Sequence, residues 1–173
     1  YASNYNSVIK LIGKVAMKEN GKIYCIVSPM LVSRESQLSS VDDVFNAIMV
    51  RGNATGDVMF YGKGAGKLPT ASAVMADIID CFKHIKARKY VFWEDGDPDY
   101  VEDYDLEKVS LYIRGKAADP ENAKSDIEKA FGKVKFLSAD NAPSHDVAFV
   151  TEKDTERTLK EKLKSLSSEL EPL

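Results

Sequence analysis

The chain has 173 residues, of which 44% are hydrophobic and 29% are charged, and its formal net charge at pH 7 is -3. Such a chain is long enough for one or two small domains with hydrophobic cores. The acidic balance argues against a nucleic-acid partner, because a nucleic-acid interface needs a basic face. No apolar run approaches membrane-spanning length and no signal peptide is visible, so we expect no membrane partner.

The two cysteines, Cys25 and Cys81, are far apart in the sequence and show no metal-ligand spacing. A disulfide framework would need a cysteine-rich secreted chain. We therefore predict that both are small buried residues in a reducing compartment, the cytoplasm, and we assign no metal site.

The N-terminal part of the chain has the pattern of strands joined by tight turns. Apolar residues alternate loosely between Val8 and Val15, and Asn20-Gly21 is a strong hairpin signal because both residues tolerate a positive φ. The β-branched and aromatic residues at 22–27 predict the returning strand, which we expect to stop at Ser28-Pro29.

Two further strands are predicted at residues 46–50 and 58–61, on either side of a turn at 52–56. A helix is then predicted from about residue 70 to 87, with Thr70 as its N-cap. Its apolar residues recur at helical spacing, at Val74, Ile78, Phe82 and Ile85.

A glycine-rich segment, Gly62-Lys-Gly64-Ala65-Gly66-Lys67-Leu-Pro69-Thr70, joins the last of these strands to the helix. Glycines at such a turn let the backbone approach a flat or charged ligand. A Walker loop needs four residues between its first glycine and the Gly-Lys-Ser/Thr end, whereas three residues separate Gly62 from Gly66. A dinucleotide fingerprint, Gly-x-Gly-x-x-Gly, also fails, because Lys67 or Pro69 takes its last position.

With its flanks, this segment resembles the homoserine dehydrogenase family over roughly residues 8–82. The family-like order and spacing make the resemblance more specific than a lone motif. The matching residues are Ile9-Lys10-Leu11-Ile12-Gly13, Val27-Ser-Pro29-Met-Leu31-Val32, Leu38-Ser-Ser-Val41, Phe45-Asn46-Ala47-Ile48, Gly62-Lys-Gly64-Ala65-Gly66, Pro69-Thr70-Ala71-Ser72-Ala73-Val74 and Asp77.

The resemblance implies an enzyme that interconverts L-aspartate 4-semialdehyde and L-homoserine with NAD or NADP, in the biosynthesis of threonine, methionine and isoleucine. In this family the nucleotide-binding domain and the catalytic lysine precede the point where this chain begins. We therefore assign no catalytic residue here, and we expect the isolated fragment to be inactive. The preference between NAD and NADP is set by residues near the ribose, in the nucleotide-binding domain.

The resemblance places the last glycine of the loop, Gly66, against the cofactor, with Ala65 and Gly64 beside it. A hydrogen at this position leaves room for the nicotinamide, and nearby amides can donate to it. The alternative is that the glycines serve only tight strand-to-helix packing.

Residues 94–107 hold eight carboxylates, a density that can chelate a hard cation. The calcium-loop pattern is not met, so we predict a solvated linker over residues 92–107. Tyr100 and Tyr104 are expected to pin it to the surface.

The remaining residues, 108–173, predict the order strand, helix, strand, strand, helix. The first helix starts at the N-cap Asp119 before Pro120 and ends at Gly132. The second follows Thr151-x-x-Asp154, which resembles a capping box. Its apolar stripe is Leu159, Leu163, Leu166 and Leu170.

This order opens a ferredoxin-like βαββαβ unit, and after a homoserine dehydrogenase segment it resembles the family's ACT domain, an amino-acid-binding regulatory module. Asn122 stands where the family usually has glycine, and only three residues follow the last helix, so we expect weak or no effector binding and no last strand. Dimerisation through the sheet, giving a homodimer, is still expected.

The predicted fold class is α+β: a partial catalytic sheet with a returning helix in residues 1–91, the acidic linker, and an ACT-like βαββα(β) domain. The alternative function is a non-enzymatic module of ACT type, which would bind an amino acid or form dimers through residues 108–173.

Overall fold

A computed structural model describes residues 1–87, 92–166 and 168–173, so the predicted domain end at residue 91 lies outside the described residues. The chain forms two compact units, Tyr1–Ser33 with Gly96–Leu173, and Arg34–Asp95. The boundaries of these units differ from those of the predicted domains, 1–91, 92–107 and 108–173. The predicted domains are those expected from the resemblance to the family, and they stay a prediction. None of the helices in the described ranges is long and apolar enough to cross a membrane.

The fold class is α+β, as predicted. The larger unit begins with a long hairpin of two antiparallel strands, β1 (Ser7–Met17) and β2 (Ile23–Ser33). The turn lies at Asn20-Gly21, as expected, and Gly21 has a φ of 79° that favours glycine. Lys18 N–H donates to the Lys22 carbonyl at 2.8 Å and closes the hairpin.

The predicted end of β2 at Ser28-Pro29 is wrong, because the strand continues through Pro29 to Ser33. Pro29 pairs with Leu11, seven residues before Lys18 along β1. Hydrogen-bonded and non-hydrogen-bonded pairs alternate in an antiparallel ladder, so this odd offset from the Lys18 pair makes Leu11 and Pro29 a non-hydrogen-bonded pair. The missing N–H of Pro29 therefore faces away from β1, toward the edge of β2 that has no ladder partner at this position among the described residues, and proline is tolerated on such an edge.

The C-terminal part of the same unit is a four-stranded antiparallel sheet with two helices. The elements in chain order are β5 (Lys108–Val109), β6 (Tyr112–Lys116), α2 (Pro120–Phe131), β7 (Val134–Leu137), β8 (Asp146–Thr151), β9 (Asp154–Thr155), α3 (Glu156–Ser165) and β10 (Glu171–Pro172). The spatial order of the strands in the sheet is β10-β6-β8-β7. From β6 onward the chain order strand, helix, strand, strand, helix, strand is that of a ferredoxin-like unit. A short ladder between β5 and β9 flanks it.

The expectation that the last strand is missing is therefore wrong. Glu171 and Pro172 pair with Lys116 and Gly115 of β6. Two residues are too few to show a strand pattern in sequence, and their placement depends on Leu170, which is 1% exposed in the core. The largest fully buried side chains of this core are Phe149, Ile127, Leu159 and Leu170.

The ends of the two helices test the capping predictions. Asp119 caps α2, accepting hydrogen bonds from the amides of Glu121 and Asn122, and Gly132 ends the helix, both as predicted. The predicted capping box at Thr151 is wrong: Thr151 belongs to β8, and Thr155 caps α3 by accepting from the Thr158 amide at 3.2 Å. Thr151 instead pairs with Val134 of the neighbouring strand β7.

The C-terminal half of the acidic segment, residues 100–107, is bound to the hairpin rather than free in solvent as its charge predicts. Lys18 forms ion pairs with Glu102, at 2.7 Å, and with Glu107. The backbone of Ile23 donates to the Tyr100 carbonyl at 3.0 Å and accepts from the Glu102 amide at 2.9 Å. These bonds attach residues 100–107 to the hairpin, because a basic side chain at the hairpin tip offsets the self-repulsion of the acids.

The smaller unit contains a second hairpin, β3 (Phe45–Gly52) and β4 (Gly56–Lys63), followed by α1 (Lys67–Lys83). Both strands and the intervening turn were expected. Arg51 and Asp57 form a bidentate ion pair near the turn, with N–O distances of 2.6 and 2.8 Å. This hairpin carries the glycine-rich segment to the start of the helix.

Candidate cofactor-contact site

The predicted site residues Gly64, Ala65 and Gly66 lie together at the junction of β4 and α1. The helix begins three residues earlier than predicted, so Gly66 rather than Thr70 is its N-cap. The Thr70 amide donates to the Gly66 carbonyl at 3.1 Å, and Pro69 therefore lies inside the first helical turn. Proline is tolerated there because first-turn N–H groups have no intrahelical partner.

Gly66 has a backbone conformation that other residues rarely adopt, with φ 123° and ψ 147°. A Cβ built on it would also lie 3.3 Å from Cδ of Pro69. Glycine is therefore required at this position by the path of the chain itself, and the turn presents a bare backbone at the N-terminus of a 17-residue helix. Amides at a helix N-terminus are donors for a carbonyl or an anion.

The other two glycines of the loop differ from Gly66, because neither has a positive φ. A Cβ built on Gly64 would overlap the side-chain amide of Asn46, whereas a Cβ built on Gly62 would meet no atom within 4 Å among the described residues. Packing within the described chain thus explains glycine at 64 but not at 62. If the three glycines served only tight packing, no contact among the described residues would account for the glycine at position 62.

The contact of Asn46 with Gly64 was not predicted from the sequence. The strand register accounts for the contact, since Asn46 pairs with Gly62 and Gly64 comes two residues later. Diagonal neighbours of this kind lie on the same face of an antiparallel pair.

The predicted helix end near residue 87 is wrong, because α1 ends at Lys83 and Ile85 follows it. The apolar residues of α1 have the predicted helical spacing, but the face they form is exposed. Phe82 is 78% exposed and Ile85 76% exposed. A shallow groove of about 510 Å³ runs along this face, lined by Val74, Asp77, Ile78, Cys81, Phe82 and Ile85. The prediction that Cys25 and Cys81 are buried is wrong: both are exposed free thiols. Cys25 lies on a two-stranded hairpin and Cys81 on this uncovered helix face.

Comparison with curated proteins finds homoserine dehydrogenases. The family model described as homoserine dehydrogenase matches residues 1–79. The chain is 41% identical over 85 residues to the homoserine dehydrogenase of Lactococcus lactis, which covers 49% of this chain and 20% of that protein. It is 44% identical over 87 residues to that of Neisseria gonorrhoeae, with 50% and 20% covered. The chain thus spans about a fifth of the length of these relatives.

Solved structures extend the likeness beyond residue 79. The crystal structure of a homoserine dehydrogenase from Thiobacillus denitrificans matches with a TM-score of 0.77 over 100% of this chain and 43% of that chain; at 24% identity it shows the fold alone. The S. aureus homoserine dehydrogenase matches with a TM-score of 0.65 and 30% identity, over 99% of this chain and 43% of that chain. Residues 1–79 thus match the homoserine dehydrogenase family, and the fold of the whole chain is similar to that of the solved homoserine dehydrogenases.

Proposed function

We propose that this chain is part of a homoserine dehydrogenase, which reduces L-aspartate 4-semialdehyde to L-homoserine with NADH or NADPH in the biosynthesis of threonine, methionine and isoleucine. The observation that carries the proposal is the family match over residues 1–79, which contains the whole glycine-rich loop. The reaction is a hydride transfer, in which the protein binds and orients the nicotinamide and the cofactor supplies the chemistry.

Within that enzyme, we propose that Gly66 contacts the nicotinamide end of the cofactor, with Ala65 and Gly64 beside it. The positive φ of Gly66 supports this, because the loop presents backbone rather than side chain. The open space beside Gly62 supports it as well, since the described chain does not fill it. The catalytic residues are proposed to lie outside these 173 residues.

The proposal includes aspartate 4-semialdehyde or homoserine as the small-molecule substrate, a homodimeric assembly and a cytoplasmic location. The ferredoxin-like part is proposed to be the ACT-like domain of residues 108–173. A cleft of about 460 Å³ next to β10 offers room for an amino-acid effector. It is lined by Lys116, Ala117, Ala118, His145, Glu169, Leu170 and Glu171 among other residues.

The alternative, a non-enzymatic module that only binds an amino acid, is not favoured, because the matched relatives are named as dehydrogenases. A glycine at position 122 would let an effector approach the start of α2. Asn122 instead donates a hydrogen bond from its side-chain amide to the Asp119 carboxylate at 2.7 Å, so its side chain occupies this space.

The test is an assay of the full-length protein that carries this chain, with homoserine and either NAD or NADP, followed by the absorbance of the reduced nicotinamide. We expect homoserine-dependent reduction of one or both cofactors. A purified, folded full-length protein that reduces neither cofactor with homoserine would overturn the proposed function.

A further inference from the structure

Gly64 differs from Gly66, because the side chain of another residue, and not its own backbone conformation, excludes a Cβ there. Its φ is not in the left-handed region, so its backbone would accept alanine without strain. A Cβ built there would overlap the Nδ2 atom of Asn46 and lie 2.7 Å from Cγ and 3.3 Å from Cβ of the same residue. The side chain of Asn46 therefore occupies the space above Gly64.

The register of the hairpin explains why this contact forms. Asn46 is directly opposite Gly62, and the ladder continues one step beyond β4, where the Gly64 amide donates to the Val44 carbonyl at 3.1 Å. Asn46 and Gly64 are thus diagonal neighbours on one face of the hairpin. Because Gly62 and Gly64 have no side chains, the Asn46 side chain can lean along the strand onto the start of the loop.

The contact acts at the point where the strand becomes the cofactor-contact loop. Two residues after Gly64, the chain turns through the positive φ of Gly66 into α1. A loop of glycines has many accessible backbone conformations and pays a high entropic cost to hold one of them. The Val44 hydrogen bond and the Asn46 contact together fix the first residue of that turn.

We propose that Asn46 is a positioning residue for cofactor binding: its amide packs on Gly64 and holds the loop so that Gly66 presents its backbone to the nicotinamide. The inference rests on the proposed function, because it takes Gly66 as the point of cofactor contact. Asn46 itself is not a catalytic residue in this proposal.

The experiment is a double-mutant cycle in the full-length protein, with Asn46→Ala, Gly64→Ala and the double variant. The measurements are the KM of the nicotinamide cofactor, the KM of homoserine, kcat and the thermal unfolding midpoint. Asn53→Ala is the matched control, because Asn53 lies at the opposite end of the same hairpin and is also exposed. Gly66→Val serves as the separate test of the cofactor contact.

We expect Asn46→Ala to raise the cofactor KM about fivefold with the homoserine KM unchanged, and Asn53→Ala to change neither. Gly64→Ala should raise the cofactor KM about tenfold when Asn46 is present, and only about twofold when residue 46 is already alanine, because the overlap is then relieved. An unfolding midpoint that falls equally for all variants while KM stays constant would overturn the positioning role.

Equal cost of Gly64→Ala in both backgrounds would overturn the inference and leave the proposed function intact, provided that Gly66→Val still weakens cofactor binding. If neither Gly64→Ala nor Gly66→Val changes the cofactor KM of an active enzyme, the proposed cofactor contact fails, and the role of Asn46 fails with it.

Discussion

Gly115 of β6 lies directly against the side chain of Leu170, with no room for a methyl group between them. A Cβ built on Gly115 would be 2.7 Å from Cδ1 of Leu170 and 2.8 Å from the carbonyl oxygen of Glu171. The close approach allows the two-residue strand β10 to pair with β6 and closes the four-stranded sheet.

Gly115→Ala is therefore expected to detach β10. Because the obstructing atoms include backbone, the strand must shift, and we expect a loss of about 2 kcal/mol in the free energy of unfolding. Urea unfolding measures the loss, and hydrogen exchange should show faster exchange at residues 170–173. Gly13→Ala in β1, where a Cβ would be in ordinary contact 3.8 Å from Val27, is the control. Equal stability of the two variants would show that β10 is not packed as described.

Gly66→Val is expected to lower cofactor affinity of the full-length enzyme at least tenfold, about 1.4 kcal/mol. A β-branched side chain is strained at φ 123° and would stand where the nicotinamide is proposed to lie. Gly56→Val separates strain from contact, since Gly56 also has a positive φ, of 69°, but lies in the hairpin turn. Cofactor titration should respond only to Gly66→Val. An equal loss of affinity in both variants would mean that strain alone explains the effect.

Lys18→Met is expected to destabilise the larger unit at neutral pH, because Glu102 and Glu107 would face each other without the ammonium group between them. The hydrogen bond from Lys18 lowers the pKa of Glu102 below its ordinary value of 4.5. The two carboxylates in turn raise the pKa of Lys18, Glu102 more than Glu107.

The sign of the pH dependence follows from these directions. A lowered carboxyl pKa contributes stability above the ordinary value, and this stability is lost as the pH falls through the folded-state pKa. The raised pKa of Lys18 places its own titration above the ordinary lysine range. The difference in unfolding midpoint between the wild type and Lys18→Met should thus be full at neutral pH and shrink below about pH 4.5. Lys133→Met, at an exposed position after α2, is the control; a difference that does not depend on pH would contradict the ion pairs.

The 173-residue chain by itself is expected to show no homoserine-dependent reduction of NAD or NADP. It spans about 20% of the length of its curated relatives, and the proposed catalytic residues lie outside it. Circular dichroism establishes that the sample is folded, and the absorbance of reduced nicotinamide measures turnover. Cofactor reduction that depends on the chain and on homoserine would place the catalytic residues within these residues.

Features set by neighbours in sequence were predictable. The Asn20-Gly21 hairpin, the cap of α2 at Asp119 and its end at Gly132 all depend on the φ preference or hydrogen bonding of one or two residues. The glycine-rich loop was found for the same reason. The α1 start was misplaced, because Thr70 is a good cap in isolation, but a positive-φ glycine and a first-turn proline also begin a helix.

Features that need a distant partner were not predictable from local pattern. The acidic residues around Glu102 and Glu107 predict a solvated segment. The local pattern does not show that Lys18, more than eighty residues earlier in the chain, lies beside them. Cys25 and Cys81 were expected to be buried because cysteine usually is, yet what covers a residue is decided by elements elsewhere in the fold.

The amino-acid sequence by itself determined the α+β class and the order of the longer helices and strands, since these follow from local periodicity and residue type. The glycine-rich loop and its flanks also carried the resemblance to the homoserine dehydrogenase family, which the match over residues 1–79 supports. Only the tertiary structure decided which glycine is required by its own backbone and which by a neighbour, and how two residues after Leu170 complete the sheet. The physical reason is that backbone preference is a property of one residue, whereas steric exclusion and strand pairing are properties of two segments that the fold brings together.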